Sequence, residues 1–150
     1  MKKIMKRHHK ILPALLPALM GLMATAQGAS AAEVIVNVTN INQHQGTVYV
    51  VLFDSANAFD KKKGKALTQS KIKASKDSHS LVFSELKPGS YAVKLFHDEN
   101  NNGKFDKNFF GIPSEGYGFS NNGGAFGAPD FKDASFVVTD SNREISIKLR

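Results

Sequence analysis

The sequence predicts an all-β domain, a seven-stranded antiparallel β-sandwich with one long ordered loop. Three observations predict this fold. Short segments along the chain have an apolar residue at every second position, which is typical of strands that bury one face. No long segment has the 3.6-residue period of an amphipathic helix. Residues 98–133 contain no strand-length segment, and their glycine and aromatic residues indicate one long loop.

The first two strands have the clearest pattern. Val34, Val36 and Val38 alternate with Ile35, Asn37 and Thr39, so one face of this strand is expected to be buried. Residues 47–53 are apolar on both faces. This favours a central strand that is covered on both sides, or that is covered on one side by the long loop. The polar residues 40–46 are expected to form the turn between the two strands.

The middle of the domain contains weaker strand signals. Residues 69–75 predict an exposed strand, and residues 80–83 predict a stronger one. Pro88 and Gly89 then fit the central positions of a type II turn, because proline fixes φ and glycine accepts a positive φ. We therefore expect a hairpin whose second strand covers residues 91–96.

Two further strands follow the long loop. They are predicted at residues 134–138 and 144–149. In the second of them, Ile145, Ile147 and Leu149 are expected to face inward because they alternate with polar residues.

The long loop is expected to be ordered. Residues 103–127 contain seven of the 12 glycines, and residues 105–131 contain seven of the 14 aromatic residues (11 Phe and 3 Tyr). Disordered segments are poor in aromatic residues, so this loop is expected to fold over one end or one face of the sandwich. Its rings either form a small core beneath the loop or, where exposed, bind a sugar, a peptide or the edge of a lipid layer.

The N-terminus has the pattern of an export signal. Five of its first ten residues are Lys or Arg, residues 11–24 form an apolar run too short to cross a bilayer comfortably, and small residues follow. We expect residues 1–32 to be a signal peptide cleaved after Ala26 or Ala31; an uncleaved membrane anchor is the alternative. Residues 33–150 are then a single domain that is periplasmic or secreted. No other segment is apolar enough to cross a membrane.

The net charge of +7 does not indicate a nucleic-acid-binding protein. Residues 1–32 hold five of the 20 basic residues and none of the 13 acidic ones, which leaves 15 against 13, or +2. A charge that small attracts a phosphate backbone only weakly. The lysines of residues 61–65 are interpreted as a solvated loop, with an acidic glycan or lipid A as the alternative contact. The chain has no cysteine, so its stability depends on the core or on a metal.

One candidate site lies at the start of the long loop. Residues 98–106 place oxygen-bearing side chains at alternate positions, followed by a glycine, as in the first half of an EF-type calcium loop. That loop takes oxygens from positions 1, 3, 5 and 9 and from the carbonyl of position 7, with glycine at position 6. The candidate calcium ligands are Asp98, Asn100, Asn102, the carbonyl of Lys104, Asp106 and, from outside the motif, Glu115.

Two features depart from the EF-type pattern. Phe109 stands where position 12 takes a bidentate glutamate, and a strand rather than a helix precedes the loop. Only two carboxylates lie in the motif itself, so the expected dissociation constant is about 10⁻⁴ to 10⁻³ M. The alternative is a metal-free turn, rich in Asn, Asp and Gly, whose side chains bond their own backbone.

The sequence is compatible with three kinds of function. The first is a non-catalytic exported domain with structural calcium and an aromatic loop that binds an envelope protein, a peptide or a glycan. The second is an assembly role through a sheet edge at residues 69–75, although Lys71 and Lys73 there oppose strand pairing. The third is a hydrolase, for which no nucleophile elbow, zinc signature or phosphate loop is present. Its candidate groups are His97, Asp98, Asp106, Glu115 and Ser120.

Five segments together resemble one protein family. They are residues 96–108, 111–122, 126–129, 86–93 and 46–50. Through them the chain resembles the exported bacterial family called domain of unknown function 2141 over nearly all of its predicted domain. This resemblance implies a secreted or periplasmic β-sandwich with no assigned activity. The Pro-Gly-x-Tyr segment is also similar to transthyretin-like and collagen-binding B-type sandwiches, which implies an Ig-like or transthyretin-like fold but no ligand.

Overall fold

A computed structural model describes residues 31–61, 64–124 and 127–150 of the chain. Most of the predicted signal peptide, Lys62, Lys63 and Phe126 therefore lie outside the described residues. The described part is mainly β, with eight strands, two one-turn α-helices and a 3-10 turn. Neither helix could span a bilayer, since both are far too short. The elements are β1 Ala32–Thr39, β2 Thr47–Phe53, α1 Ala56–Phe59, β3 Thr68–Lys73, β4 Ser78–Leu86, β5 Gly89–Asp98, β6 Tyr117–Phe119, the 3-10 turn Ser120–Asn122, α2 Phe131–Ala134, β7 Phe136–Val138 and β8 Arg143–Lys148.

The strands form two sheets. The first has three strands in the order β4-β1-β8, and the second has five, with β3-β2-β5-β6 in order and β7 also paired to β5. In the first sheet Val36 lies opposite Leu81 in the antiparallel pair with β4 and opposite Ile145 in the parallel pair with β8. In the second sheet β5 lies between β2 on one side and both β6 and β7 on the other.

Both sheets contribute side chains to one buried core. The predicted alternation in β1 is confirmed, because Val34, Val36 and Val38 are fully buried and their neighbours are only partly so. The inner face of β8 is confirmed as well, with Ile147 buried among the same residues. The second sheet contributes residues such as Leu52 to that core.

The strand arrangement differs from the prediction of seven antiparallel strands. Residues 117–119 form an additional strand within the predicted loop, and three residues are too few to show a two-residue period. The pair of β1 and β8 is parallel, because the chain reaches β8 from β7, which belongs to the other sheet. The predicted strand at residues 134–138 is shorter than expected, since Ala134 ends α2 and β7 begins at Phe136.

The predicted hairpin at Pro88 and Gly89 is wrong. Strand β4 pairs with β1 and β5 pairs with β2, so the connection crosses from one sheet to the other. Gly89 lacks the positive φ of a type II turn, and Glu85 instead has φ +60°. Leu86 and Tyr91 are buried on either side of this connection, and the Tyr91 hydroxyl donates to the Lys87 carbonyl at 2.8 Å. Burial of both flanks directs the chain across the core rather than back along the same sheet.

Aromatic rings cover the outer face of the second sheet. Tyr49 of β2 stacks on Phe96 of β5 with ring centroids 4.8 Å apart. Phe105 of the long loop lies 5.6 Å from Phe96 and 5.8 Å from Tyr117. Phe105 of the loop therefore packs on β5 and β6, and Tyr49 of β2 is covered by Phe96 of the neighbouring strand.

Candidate metal site

The site begins where β5 ends. Asp98 is the last residue of this strand, lies opposite Thr47 of β2, and is fully buried. Gly46, just before β2, has φ +80°, and a Cβ there would stand 2.1 Å from the Asp98 carbonyl oxygen. A residue without a side chain thus lets the two backbones approach and places the Asp98 carboxylate at the mouth of the loop.

The Asp98 carboxylate holds the turn that follows it. Its Oδ1 accepts a hydrogen bond from the Asn102 amide N–H at 3.0 Å, and its Oδ2 accepts one from the Gly103 N–H at 2.8 Å. Asn101 and Gly103 both have positive φ, at 57° and 75°, which bends the chain back around the carboxylate. The buried charge is thereby satisfied by backbone donors of its own loop.

Asn100 and Asn102 link this turn to Asp106. The side-chain amides of both asparagines donate to Asp106 Oδ2, at 2.8 and 2.7 Å. The Asn100 Oδ1 accepts from the Asn102 N–H at 2.9 Å, and the Asn102 Oδ1 accepts from the Lys104 N–H at 2.8 Å. Hydrogen bonds therefore connect four of the predicted ligands in one network. The Lys104 side chain is exposed to solvent.

Glu115 lies beside the loop but does not share hydrogen-bond donors with the other carboxylates. Its Oε1 accepts from the Glu99 N–H at 3.0 Å and its Oε2 from the Asp106 N–H at 2.9 Å. It therefore joins the two ends of the loop through the backbone. Within the described ranges, His, Asp and Glu side chains do not gather in threes at a spacing that would hold a metal. The candidate ligand set accordingly depends on the asparagine amides as much as on Asp98 and Asp106.

A cluster of oxygens would require both asparagine amides to turn. Both asparagines now present their amide nitrogen to Asp106. Rotation of each amide by a half turn exchanges its nitrogen for its oxygen, which is an acceptor, and breaks the bonds that the two oxygens accept from the Asn102 and Lys104 N–H groups. Asp106, Asn100 and Asn102 would then present three oxygens to one point, as calcium requires of its ligands.

A cleft of about 580 Å³ lies next to this loop. Its polar walls include His97, Glu99 and Glu115, and its apolar walls include Ile112 and Leu149. The imidazole of His97 is 2% exposed, its Nε2 is 2.7 Å from the Gln45 carbonyl oxygen, and its Nδ1 is 3.9 Å from Glu99 Oε1. Since a carbonyl can only accept, Nε2 carries the proton. The ring is thus held in place by the backbone.

Ser120, the remaining hydrolase candidate, lies away from that cleft. Its hydroxyl is buried, accepts from the Val93 N–H at 2.9 Å, and donates to the Ala134 carbonyl at 2.5 Å. Both bonds connect backbone segments, so the structure gives Ser120 a structural position between β5 and α2.

Comparison with known proteins places the chain in a family. A family model described as an uncharacterized protein conserved in bacteria (DUF2141) matches residues 36–146. The chain belongs to this family. The predicted resemblance is therefore confirmed, and the match covers both sheets and the long loop of this DUF2141 member. No curated protein and no solved structure matches the chain.

In this DUF2141 chain, one apolar feature of the loop escaped the sequence analysis. Phe109 and Phe110 are 97% and 83% exposed, and they stand at the tip of a small hairpin closed by a bridge between Lys107 and Pro113. Aromatic composition alone does not distinguish these two rings from the rings of the same loop that cover the sheet. The spacing of Asn108 and Gly111 could have indicated this exposure. Asn and Gly are typical of the two ends of a four-residue turn, whose two central residues point outward.

Proposed function

We propose that the protein is an exported, non-catalytic domain whose acidic loop binds calcium as a structural ion. The observation that carries the proposal is the network of Asp98, Asn100, Asn102 and Asp106, which links oxygen-bearing side chains around one turn. Calcium prefers carboxylate and amide oxygens, with a backbone carbonyl such as that of Lys104 completing the set. Glu115 fixes the ends of the loop by accepting from the Glu99 and Asp106 N–H groups.

The present hydrogen bonds hold the backbone of the turn without a metal, so calcium binding would exchange the side-chain bonds of the two asparagines for metal contacts. A ligand that binds the folded state alone raises the free energy of unfolding in proportion to the logarithm of its concentration. For a dissociation constant of about 10⁻⁴ to 10⁻³ M, about 10 mM calcium would add about 1–3 kcal/mol. Magnesium is expected to bind less well, because it requires near-ideal octahedral geometry and gives up its bound waters reluctantly.

Isothermal titration and thermal unfolding with calcium test the proposal. We expect binding heat at millimolar calcium and a calcium-dependent rise in the melting temperature, both lost in Asp98→Ala and reduced in Asp106→Asn. Asp133→Ala is the matched control, because this exposed acid lies in α2, outside the loop.

For each variant, the melting temperature in calcium is compared with the melting temperature in chelator. This difference is used because Asp98→Ala also removes two hydrogen bonds that stabilise the metal-free turn. Absence of binding heat in the unchanged protein would contradict the proposal. An equal calcium response in Asp98→Ala would contradict it as well.

The involvement of the candidate catalytic groups in structural bonds supports a non-catalytic role. His97 bonds the Gln45 carbonyl, Glu115 bonds two backbone amides, and Ser120 bonds Val93 and Ala134. The cleft favours a hydrolase as the second candidate function, with Glu99 as its most accessible acid. Turnover of a panel of esters and glycosides that is lost in Glu99→Gln, with folding unchanged, would favour that alternative.

The finer fold and the location complete the proposal. We propose an Ig-like or transthyretin-like β-sandwich in the periplasm or outside the cell, which the shared core of two sheets supports. Recovery of the processed chain from the cytoplasm after cell fractionation would contradict this location. The exposed part of the long loop contacts an envelope protein, a peptide, a glycan or the edge of a lipid layer. The alternative of pairing through a sheet edge would use β3, which is an edge strand whose Lys71 and Lys73 are exposed.

A further inference from the structure

The Phe109–Phe110 tip is a convex apolar surface that no described residue covers. The two rings contact each other edge to face, with centroids 5.6 Å apart. Ile112 adds a third apolar side chain that is 58% exposed. A Cβ at Gly111 would meet no heavy atom within 4 Å, so the turn stands clear of the domain. Exposed rings beside buried ones in the same loop need an explanation other than core packing.

The backbone of this tip is largely satisfied by its own hydrogen bonds. The Gly111 N–H donates to the Asn108 carbonyl at 2.9 Å, and the Asn108 N–H donates to the Ile112 carbonyl at 2.8 Å. The Asn108 Oδ1 accepts from the N–H groups of Phe110 and Ile112, both at 3.0 Å. A segment that enters an apolar phase must pair its polar backbone groups internally, and here the amides of residues 110–112 are already paired.

The size and shape of the tip distinguish between partners. Two Phe rings bury about 300–500 Å², whereas a stable protein interface buries about 800 Å² on each partner. The tip alone is therefore too small to hold a second copy of the chain. A lipid layer needs no matching groove and accepts a small protrusion whose rings enter the boundary between headgroups and acyl chains. Lys107 at the base of the hairpin is exposed, but residues 98–115 hold four acidic residues against two lysines, so the apolar contact rather than charge identifies the partner.

We propose that the hairpin of residues 107–113 inserts Phe109 and Phe110 into the surface of a lipid bilayer. The inference deepens the proposed role of the exposed loop by naming its partner, and it does not depend on calcium binding. Phe109 and Phe110 provide the apolar contact, and Asn108 keeps the turn closed.

A local fluorescent reporter tests this insertion. The chain has no tryptophan, so Phe110→Trp gives the full-length protein a single emitter at the tip, and the exposed Val137→Trp gives a matched control in β7. Each variant is mixed with vesicles of phosphatidylethanolamine and phosphatidylglycerol, with and without brominated acyl chains. We expect blue-shifted emission and strong bromine quenching at position 110, and neither at position 137. Adding Phe109→Ser to the Phe110→Trp chain is expected to weaken the quenching.

The reporter also separates this inference from other sources of membrane contact. Binding through the apolar residues 11–24 would leave the Phe110→Trp variant with water-like emission, which would overturn the proposal. Equal quenching at both positions would overturn it as well. Self-association in lipid-free buffer that is lost in the Phe109→Ser, Phe110→Ser double variant would assign the tip to a protein partner instead. The calcium titration contains no lipid, so its outcome is independent.

Discussion

Ser120 shows how one side chain can complete a strand edge. Strand β5 pairs with β7 at residues 89–91 and with β6 at residues 94–96. Between these two pairings the Val93 N–H has no strand opposite it, and the Ser120 hydroxyl accepts its hydrogen bond. The same hydroxyl donates to Ala134, so one small polar group satisfies two buried backbone atoms.

Ser120→Ala is expected to destabilise the domain by about 1–3 kcal/mol, because it leaves a buried N–H and a buried carbonyl without partners. Chemical denaturation followed by circular dichroism measures the change in the free energy of unfolding. Ser90→Ala is the control, since Ser90 is exposed on the same strand and its substitution is expected to change stability by less than about 0.5 kcal/mol. Equal effects of the two substitutions would contradict the assigned role.

The side-chain amine of Lys94 lies over two aromatic rings. Its Nζ lies 4.1 Å from the Phe59 ring centroid and 5.2 Å from that of Phe53, and it donates to the Phe59 carbonyl. Burial lowers the pKa of Lys94 below its usual value, because it disfavours the charged form, while the Asp60 carboxylate partly opposes this.

This lowered pKa predicts a specific pH dependence. Between the lowered folded-state pKa and pH 10.5, the unfolded chain binds more protons at Lys94 than the folded chain does. The free energy of unfolding therefore rises with pH across this window, and it falls again as the pH is lowered back to the folded-state pKa. The difference in unfolding free energy between the unchanged protein and Lys94→Met should therefore increase with pH in that window. Tyr91 has a raised pKa but is the same in both proteins, so its contribution cancels. A flat difference would contradict the shift.

At the scale of elements, β5 organises the second sheet. It pairs with β2, β6 and β7, and it ends at Asp98, where the acidic loop begins. Its position is set by a close approach to Gly46, whose carbonyl accepts from the Ala74 N–H at 3.1 Å. The turn before β2 therefore connects β3, β5 and the loop.

Gly46→Ala is expected to destabilise the domain by more than Gly103→Ala does. Both glycines have positive φ, which costs an alanine about 1–2 kcal/mol. Only at Gly46 would the added Cβ also collide with a backbone oxygen, that of Asp98, because no heavy atom lies within 4 Å at Gly103. Thermal unfolding of both variants measures the difference. If the two variants were equally stable, the close approach at Gly46 would not contribute.

At the scale of the whole molecule, one core holds both sheets together. Leu52 of β2 is fully buried in it, together with residues of β1, β5 and β8. Its replacement by alanine would leave a cavity that the surrounding strands fill only in part.

We expect Leu52→Ala to lower the free energy of unfolding by about 2–5 kcal/mol. Leu67→Ala makes the same chemical change at a residue that is 46% exposed, and its expected effect is below about 1 kcal/mol. Both sheets should unfold together, because they share the core. Separate unfolding transitions for the two sheets in Leu52→Ala would contradict a single shared core.

The predictable part of this fold depends on local pattern. Alternation of apolar residues made β1 and β8 recognisable, and a continuous apolar run did so for β2. The spacing of Asp98, Asn100 and Asn102 before Gly103 identified the candidate site. The hydrogen bonds of the loop follow from this spacing, because Asx side chains reach backbone groups two to five residues away.

Residue pattern along the chain was enough to indicate which segments bury one face, which loop is rich in oxygen-bearing side chains, and which family the chain belongs to. The folded structure was needed to show that β8 pairs in parallel with β1, that Pro88 and Gly89 cross between sheets, and that Phe109 and Phe110 point to solvent while Phe105 packs on Phe96 of β5. The two sets of features differ in range along the chain. A two-residue period acts within a strand, whereas pairing partners and ring burial depend on residues that are distant along the chain and meet only after folding.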